Sequence, residues 1–291
     1  MTRIAIADAR DDRVVGAAAT LASMGSVRPV LIDPDPAVPL PAGVEGVTLE
    51  GDVDPLTFLA EYVRAGHADA GLAGSLSSSA SVIRAGIRAL GANGLVSGCF
   101  LMQHEGAMTT YADCSVVPDP TAEQLADIAE AAADHHRRIT GEVPLVGMLS
   151  FSTAGSAEHP SVHKVRTATE ILRWRRPSLT VEGEMQFDVA VDAGVGERKM
   201  PGSQVAGRAN VLIFPTLEAG NIAYKVAEQI GRARAFGSFV LNLTKPWVDL
   251  SRGISERDLV DTALLLAGVH PACPAVSSDR HQESARSMAR R

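Results

Sequence analysis

Apolar segments of strand length alternate with helical segments along the first third of the chain, and this alternation restricts the folds open to it. Short apolar strands are predicted at residues 3–7, 27–32, 44–49 and 70–73. Helices are predicted at residues 14–23, 55–65 and 80–90. Because each helix carries the chain back to the start of the next strand, such strands pair in parallel. The sequence therefore predicts an α/β fold with a mostly parallel sheet covered by helices.

The pattern continues through the rest of the chain. Further strands are predicted at residues 94–104, 108–117, 143–151, 209–215 and 237–243, and 143–151 is apolar enough to be central in the sheet. Helices are predicted to follow Thr121, at 162–174, from 222 onward and at 256–266. Thr121 and Gln124 form a capping box, which marks the first of these helix starts. Residues 271–291 lack apolar periodicity and are predicted to be a disordered, basic tail.

Length and composition limit the function classes. A chain of 291 residues suggests about two domains. A net charge of -7 argues against non-specific nucleic-acid binding. Neither a secretory signal nor an apolar segment of membrane-spanning length is apparent. The 3 cysteines lack a CxxC spacing, so reduced thiols in a cytoplasmic protein are expected, with no metal site.

The segment around residues 249–258 has the strongest chemical signal. A Ser-Arg-Gly turn at 251–253 precedes the last predicted helix. The free N–H groups of a helix start attract anions, and Arg252 can bind a phosphate through two hydrogen bonds. Ser255 and Asp258 also match a capping box, which by itself explains both residues. From spacing alone, Asp258 is therefore either a catalytic carboxylate or a cap.

Residues 249–253, with Ser255 and Asp258, resemble the active-site signature of phosphate acetyltransferases. The likeness extends upstream through several long segments in the same order. These segments are 11–18, 111–129, 148–165, 181–191 and 207–225. The resemblance covers residues 1 to about 268, and the chain is identified as a member of the phosphate acetyltransferase/phosphate butyryltransferase family.

The resemblance implies an acyl transfer between coenzyme A and phosphate, with coenzyme A as a co-substrate and no covalently bound cofactor. Asp258 matches the aspartate proposed as general base toward the thiol. Ser251 matches a serine that hydrogen-bonds the reacting centre. Arg252 matches an arginine that offsets negative charge in the transition state.

The resemblance also implies a set of substrate-binding residues. Two lie in or next to the predicted helix at 80–90, three lie in a turn after the strand at 143–151, and one precedes the Ser-Arg-Gly turn. They are Ser79, Arg84, Thr153, Gly155, Ser156 and Lys245. The backbone N–H groups of the turn at 152–156 suit an anion. Lys245 is equally well explained as a surface charge at a strand end.

The implied fold is a two-domain isocitrate/isopropylmalate dehydrogenase-like fold with an interdomain cleft. One domain is expected to combine residues 1–94 and 240–270. The other is expected to span 95–239 and to build a homodimer. Small-molecule substrates are the expected partners, without nucleic acid or membrane.

The sequence departs from the family pattern at several places. A family arginine before the helix at 55–65 has no counterpart, and another is replaced by Gln229. Arg232 and Arg234 are candidates to take the place of the second one. Trp247 stands where the family has a smaller residue, and it is expected to alter the pocket. These departures leave open a second function, a non-catalytic acyl-CoA-binding or regulatory protein.

Overall fold

One sheet of eleven strands with helices on both faces makes up residues 1–269, the part of the chain that the computed structural model describes. In chain order the strands are β1 (Thr2–Ile6), β2 (Val27–Ile32), β3 (Glu45–Val47), β4 (Ala70–Ala73), β5 (Ala92–His104), β6 (Ala107–Ala112), β7 (Leu145–Leu149), β8 (Thr180–Met185), β9 (Val211–Ile213), β10 (Arg234–Leu243) and β11 (Trp247–Asp249).

Each helix in the same range follows a polar N-cap residue. The helices are α1 (Asp12–Met24), α2 (Pro55–Arg64), α3 (Ser79–Leu90), α4 (Ala122–Thr140), α5 (Pro160–Arg175), α6 (Phe187–Val191), α7 (Ala193–Lys199), α8 (Leu217–Gln229) and α9 (Glu256–Leu266). The Thr121–Gln124 capping box predicted from the sequence is present at the start of α4. No helix within residues 1–269 is both long and apolar enough to cross a bilayer.

The sheet consists of two parallel blocks joined by antiparallel strands. Its strand order is β3-β2-β1-β4-β11-β10-β5-β6-β9-β7-β8. Pairing is parallel from β3 to β11 and again from β6 to β8. The long strands β10 and β5 pair antiparallel with each other and with their outer neighbours. The predicted α/β class is confirmed, and the sheet is mixed at its centre.

The two faces of the sheet bury their apolar residues differently. On one face α1, α9, α4 and α5 cover a single core that runs across both blocks. On the other face there are two separate cores, one under α2 and α3 and one under α6 and α8. The gap between these two cores is the natural place for a cleft.

Most predicted elements are confirmed within a few residues, and two boundaries were wrong. The strand predicted at 108–117 ends at Ala112, because the Asp113 carboxylate accepts hydrogen bonds from the next backbone N–H groups and forms a turn. The helix predicted from residue 222 begins at Leu217, with Thr216 as its N-cap. Gly220 lies inside this helix, where a Cβ atom would meet Asp113 O at 2.2 Å.

Two expectations concern the thiols and the tail. Cys99 and Cys114 are buried free thiols. Cys273 and the predicted tail at 271–291 lie outside the described residues. Within residues 1–269 no group of three or more histidine, cysteine or acidic side chains is arranged to hold a metal ion.

Candidate active site

A cavity of about 270 Å³ opens in the gap between the two cores, where the Ser-Arg-Gly turn meets α8. Its wall comes from both parallel blocks and from the central strands. It is lined by Gly74, Ser77, Ser79, Phe100, Cys114, Ser115, Asn221, Tyr224, Lys225, Ser238, Asp249, Leu250, Ser251 and Arg252. Three of the predicted site residues, Ser79, Ser251 and Arg252, therefore come together here.

Asp249 ends β11 and places a buried carboxyl group in this cavity. Its Oδ1 atom has no hydrogen-bond partner among residues 1–269. Burial raises the pKa of Asp249 to about 6, against a smaller lowering effect of the Ser79 hydroxyl. A carboxyl group with this pKa can both accept and return a proton near neutral pH.

The loop after β4 packs tightly against the end of β11. Gly74 has φ +123, and a Cβ atom there would lie 2.4 Å from Leu250 O. Asp8 fixes the loop by accepting hydrogen bonds from Gly74 N at 2.7 Å and from Ser77 Oγ at 2.8 Å. A glycine at position 74 is therefore what allows the two strand ends to meet at the cavity.

Arg13 holds the Ser-Arg-Gly turn in place. Its guanidinium donates to Arg252 O at 2.9 Å and to Ile254 O at 2.8 Å. The same group is paired with the Asp11 carboxylate at 2.7 Å and also donates to Ser75 O. Arg13 thus joins the turn at 251–253 to the loop after β4, while the Arg252 side chain stays exposed at the cavity.

The opposite wall of the cavity is a polar face of α8. Asn221 donates to Cys114 O at 3.0 Å and accepts from Lys225 Nζ at 3.0 Å. Tyr224 stacks on Phe100, with ring centroids 4.1 Å apart. Desolvation lowers the pKa of Lys225. Lys225 and Arg252 give the cavity two cationic side chains, which suit an anionic ligand.

Asp258 lies outside this cavity, in the first turn of α9, and both of its carboxylate oxygens are engaged. Arg234 donates to Oδ1 from Nε at 2.9 Å and from Nη2 at 2.5 Å. The Ser255 hydroxyl donates to Oδ2 at 2.6 Å, and Ser255 Oγ accepts from Asp258 N. Arg234 also pairs with Asp261. The capping role of Ser255 is confirmed.

The turn at 152–156 is built around a buried carboxylate. Glu184 accepts hydrogen bonds from Ser152 Oγ at 2.8 Å, Gly155 N at 2.9 Å and Arg166 Nε at 2.8 Å. Thr153 N donates to Ser156 Oγ at 3.0 Å. The backbone N–H groups of this turn, which were predicted to bind an anion, therefore donate to acceptors within the protein.

The position of this turn is set by the sheet. Ala112 and Met148 are level with each other across β9, so the turn after β7 lies two strands from the turn after β6. Two strand spacings amount to about 10 Å. Thr153, Gly155 and Ser156 therefore lie beside the cavity that holds Ser251, and they do not line it.

Arg84 and Lys245 lie in two other depressions. Arg84, on the exposed side of α3, lines a depression of about 390 Å³ with Asp54, Glu61 and Arg88. Lys245 lines a depression of about 370 Å³ with Arg138. Lys245 and Ser251 flank opposite ends of β11, and six residues of extended chain span about 20 Å. The structure therefore does not bring Lys245 to the Ser-Arg-Gly turn.

The expectation that Trp247 alters the pocket is corrected. Trp247 is buried under α3, where its Nε1 atom donates to Val82 O at 3.0 Å, and it does not line the cavity. The absence of a Cβ at Gly71 and Gly86 makes room for the indole. Gln229 lies exposed at the end of α8, and Arg234 is the arginine that reaches Asp258.

Sequence reasoning assigned no role to most of the other cavity side chains, among them Asn221, Tyr224, Lys225 and Asp249. The first three recur at helical spacing on one face of α8, but the boundary predicted for this helix hid the pattern. Asp249 is a charged residue at the end of a buried strand, and this was an available signal.

Comparisons with known proteins identify the family of the chain. The family described as phosphate acetyl/butaryl transferase matches residues 46–267. A phosphate acetyltransferase of Paracoccus denitrificans is 44% identical over 224 residues, which cover 74% of this chain and 70% of that protein. A phosphate acetyltransferase of Acetivibrio thermocellus is 34% identical over 308 residues, which cover 91% of this chain and 92% of that protein.

Solved structures agree with the sequence comparisons. A phosphotransacetylase from Streptococcus pyogenes superposes with a TM-score of 0.80 at 32% identity and covers 92% of this chain and 93% of its own. A structure described as a 4-hydroxythreonine-4-phosphate dehydrogenase from Salmonella typhimurium has a TM-score of 0.57 at 10% identity, covering 92% and 99%, and shows the fold alone. The expected dehydrogenase-like fold is confirmed, and the chain belongs to the phosphate acetyl/butaryl transferase family.

Proposed function

We propose that the protein transfers an acyl group between coenzyme A and phosphate, converting acyl-CoA and phosphate into acyl phosphate and coenzyme A. The observation that carries this proposal is the cavity that Ser251, Arg252 and Lys225 line together. Two cationic groups and several hydroxyls around a buried carboxyl group suit an acyl phosphate and a thiol. The relatives named phosphate acetyltransferase support the same reaction.

Ser251 and the two cations have distinct roles in the proposal. The Ser251 hydroxyl hydrogen-bonds the oxygen of the reacting carbonyl. Arg252 and Lys225 offset the negative charge that develops on the carbonyl and phosphate oxygens. Electrostatic stabilisation of this kind is usually the largest contribution to catalysis of acyl transfer. Arg13 acts as a positioning residue, because it holds the backbone on both sides of Gly253.

Asp258 is the base that the family resemblance implies, and that role stays a proposal. To take a proton from a thiol at the cavity, its carboxylate has to release either Arg234 or Ser255. The ion pair between Arg234 and Asp258 supports a second role, in which Asp258 anchors the start of α9 beside the Ser-Arg-Gly turn.

The other predicted substrate-binding residues are proposed to contact parts of the ligand that extend beyond the cavity. Ser79 and Arg84 are five residues apart on α3, about 7.5 Å along the helix axis. An extended molecule such as coenzyme A can touch the cavity at Ser79 and continue toward Arg84. Thr153, Gly155, Ser156 and Lys245 stay proposed contacts for groups beyond the cavity.

We also propose the two-domain division at residues 1–94 plus 240–270 and 95–239, and a homodimer built by the second unit. An apolar stripe on α8 supports the dimer. Ile222, Val226 and Ile230 recur every four residues and are 56%, 50% and 78% exposed. A second copy covering this stripe would remove these side chains from water.

The proposal is tested by thiol release from a panel of short acyl-CoA esters, with phosphate or arsenate as the acceptor. Anion-dependent release that is lost in Arg252→Ala supports acyl transfer and gives the acyl preference. The alternative function is acyl-CoA binding without chemistry. It predicts a melting temperature raised by the same esters and no release of thiol.

A further inference from the structure

We propose that the hydroxyl groups of Ser115 and Ser238 determine the acyl preference, because they select a short acyl group that carries a neutral oxygen, such as a hydroxyacyl group. This inference rests on the proposed acyl transfer and names the class of acyl group. Both serines line the cavity together with Ser251 and Arg252. Their Oγ atoms are 2.5 Å apart, the distance of a short hydrogen bond between two hydroxyls.

This hydroxyl pair has a fixed position on the central strands. Ser238 lies on β10 and is 1% exposed, and Ser115 is half-buried in the turn after β6. Both pack over Gly98 of β5, where a Cβ atom would overlap Ser115 Oγ and lie 2.9 Å from Ser238 Oγ. The backbone of Ser115 is held as well, since its N–H group donates to Asp113 Oδ1 at 2.7 Å. The missing side chain of Gly98 therefore makes the room that the two hydroxyls occupy.

The hydroxyl pair has one hydrogen-bond donor to spare. Each serine hydroxyl has a single O–H group and can accept further hydrogen bonds. The contact between Ser115 and Ser238 uses one of the two O–H groups, and neither Oγ atom has another partner within residues 1–269. A polar group shielded from water costs free energy when it has no partner. An oxygen atom of the substrate is therefore the expected acceptor for the second O–H group.

The charge beside the hydroxyl pair favours a neutral oxygen over a phosphate. The buried Asp113 carboxylate accepts hydrogen bonds from the backbone N–H groups of residues 115–117. Burial raises the pKa of Asp113, while these donors stabilise its ionised form. A negative charge on this turn repels a phosphate or a second carboxylate, whereas Lys225 and Arg252 attract one elsewhere in the cavity. The hydroxyl pair is therefore suited to the acyl group.

The surface next to the hydroxyl pair is apolar. Phe100 follows Gly98 by two residues on the same face of β5, about 7 Å along the strand. Tyr224 stacks on Phe100 and closes this side of the cavity. A carbon chain can contact the two rings while an oxygen on the chain accepts from the hydroxyl pair. Because the cavity of about 270 Å³ also has to hold the phosphate, the chain has to be short.

The test compares hydroxyacetyl-CoA with propionyl-CoA, which have the same number of heavy atoms because a hydroxyl replaces a methyl group. Thiol release with phosphate gives kcat/KM for each ester and the ratio of hydroxyacetyl to propionyl. The wild-type protein is expected to favour hydroxyacetyl-CoA about tenfold, as one hydrogen bond allows. The double variant Ser115→Ala/Ser238→Ala is expected to lower this ratio about tenfold. Both serines are replaced because either hydroxyl can donate when the other is absent.

The comparison of variant with wild-type protein removes any difference in intrinsic reactivity between the two esters. Ser97→Ala is the matched control, because Ser97 is a fully buried serine of the same strand that does not line the cavity. This control is expected to keep the wild-type ratio. If Ser97→Ala lowers the ratio as much as the double variant does, the effect belongs to the strand and the inference is overturned.

The other outcomes separate this inference from the proposed function. A wild-type protein that transfers no acyl group from any ester overturns the proposed function itself. An active protein whose ratio is the same in the double variant overturns only the role of the hydroxyl pair. This includes a double variant that raises the KM for phosphate equally with both esters, which would place the pair at the phosphate. If the double variant does not fold, a wild-type ratio of one or below contradicts the inference.

Discussion

Arg234 and Asp258 form a paired contact that joins the start of β10 to the first turn of α9, with Nε 2.9 Å from Oδ1. The guanidinium also reaches Asp261 Oδ2 at 2.5 Å. One arginine thereby neutralises two carboxylates on successive turns of the helix. This contact gives the last helix a fixed position behind the Ser-Arg-Gly turn.

Arg234→Leu is expected to leave Asp258 without a cationic partner and Asp261 with only Arg257, whose Nε atom is 4.0 Å away. The groups are only partly exposed, so the free energy of unfolding should fall by about 2 kcal/mol. Urea denaturation measures this change. Arg232→Leu is the matched control, because Arg232 is exposed and lies two residues earlier. Equal stability of both variants would show that the pair does not anchor α9.

Glu184→Gln is expected to loosen the turn at 152–156. Burial by itself raises the pKa of Glu184, but hydrogen bonds from Arg166, Gly155 and Ser152 together lower it to about 2. Because the folded-state pKa is depressed, its stabilising effect is present above pH 4.5 and is lost as the pH falls toward 2. The contribution near neutral pH is about 3 kcal/mol.

Thermal unfolding at pH 7 and pH 3 measures this effect of Glu184. Glu158→Gln is the matched control, since Glu158 binds the same Arg166 but its side chain is 66% exposed. The difference in stability between Glu184→Gln and the wild-type protein should shrink at pH 3. A difference that is the same at both pH values would contradict the role given to the ionised carboxylate.

Asp249→Asn is expected to stabilise the protein above pH 7. The folded-state pKa of Asp249 is raised to about 6, so ionisation is disfavoured in the folded protein and stability falls as the pH rises from 4 to 6. An amide of the same shape avoids this cost, which is about 3 kcal/mol above pH 6. Melting temperatures at pH 5 and pH 8 provide the test. A variant that is less stable than the wild-type protein at pH 8 would contradict the free-energy cost assigned to the ionised Asp249.

Val226→Glu is expected to convert the proposed homodimer into a monomer. The substitution places a charge in the middle of the exposed apolar stripe of α8. Val38→Glu is the control, because Val38 is similarly exposed at 52% in the first half of the chain. Light scattering after size-exclusion chromatography gives the mass of each variant. A wild-type monomer, or a Val226→Glu dimer, would rule out this interface.

The sequence was sufficient for the class of fold because strand and helix patterns are local. Apolar runs such as β2 and β4 have the bounds that their residues predict. The error at residues 113–117 arose because the hydrogen bonds of Asp113 form a turn where β-branched residues favour a strand. The start of α8 was predicted too late because glycine is unfavourable inside a helix, although Gly220 is needed there for close packing on Asp113.

The sequence predicted cavity residues correctly where the functional groups are neighbours in the chain. Ser251 and Arg252 are adjacent in the chain and reach the cavity together. The pairing of Arg234 with Asp258 depends on how β10 and α9 pack, and no spacing in the sequence reveals it. The same holds for Glu184, which occupies the N–H groups of the turn at 152–156. Contacts between distant residues decide which of the candidate groups remain available to a ligand.

Acyl transfer at this cavity is tested most directly by thiol release from acetyl-CoA by the wild-type protein, with arsenate as the acceptor. Acetyl arsenate hydrolyses at once, so the reaction runs to completion. Release is expected to require the anion and to fall at least ~100-fold when Arg252 is replaced by alanine. A wild-type protein that binds acetyl-CoA but releases no thiol with either phosphate or arsenate would contradict acyl transfer at this cavity.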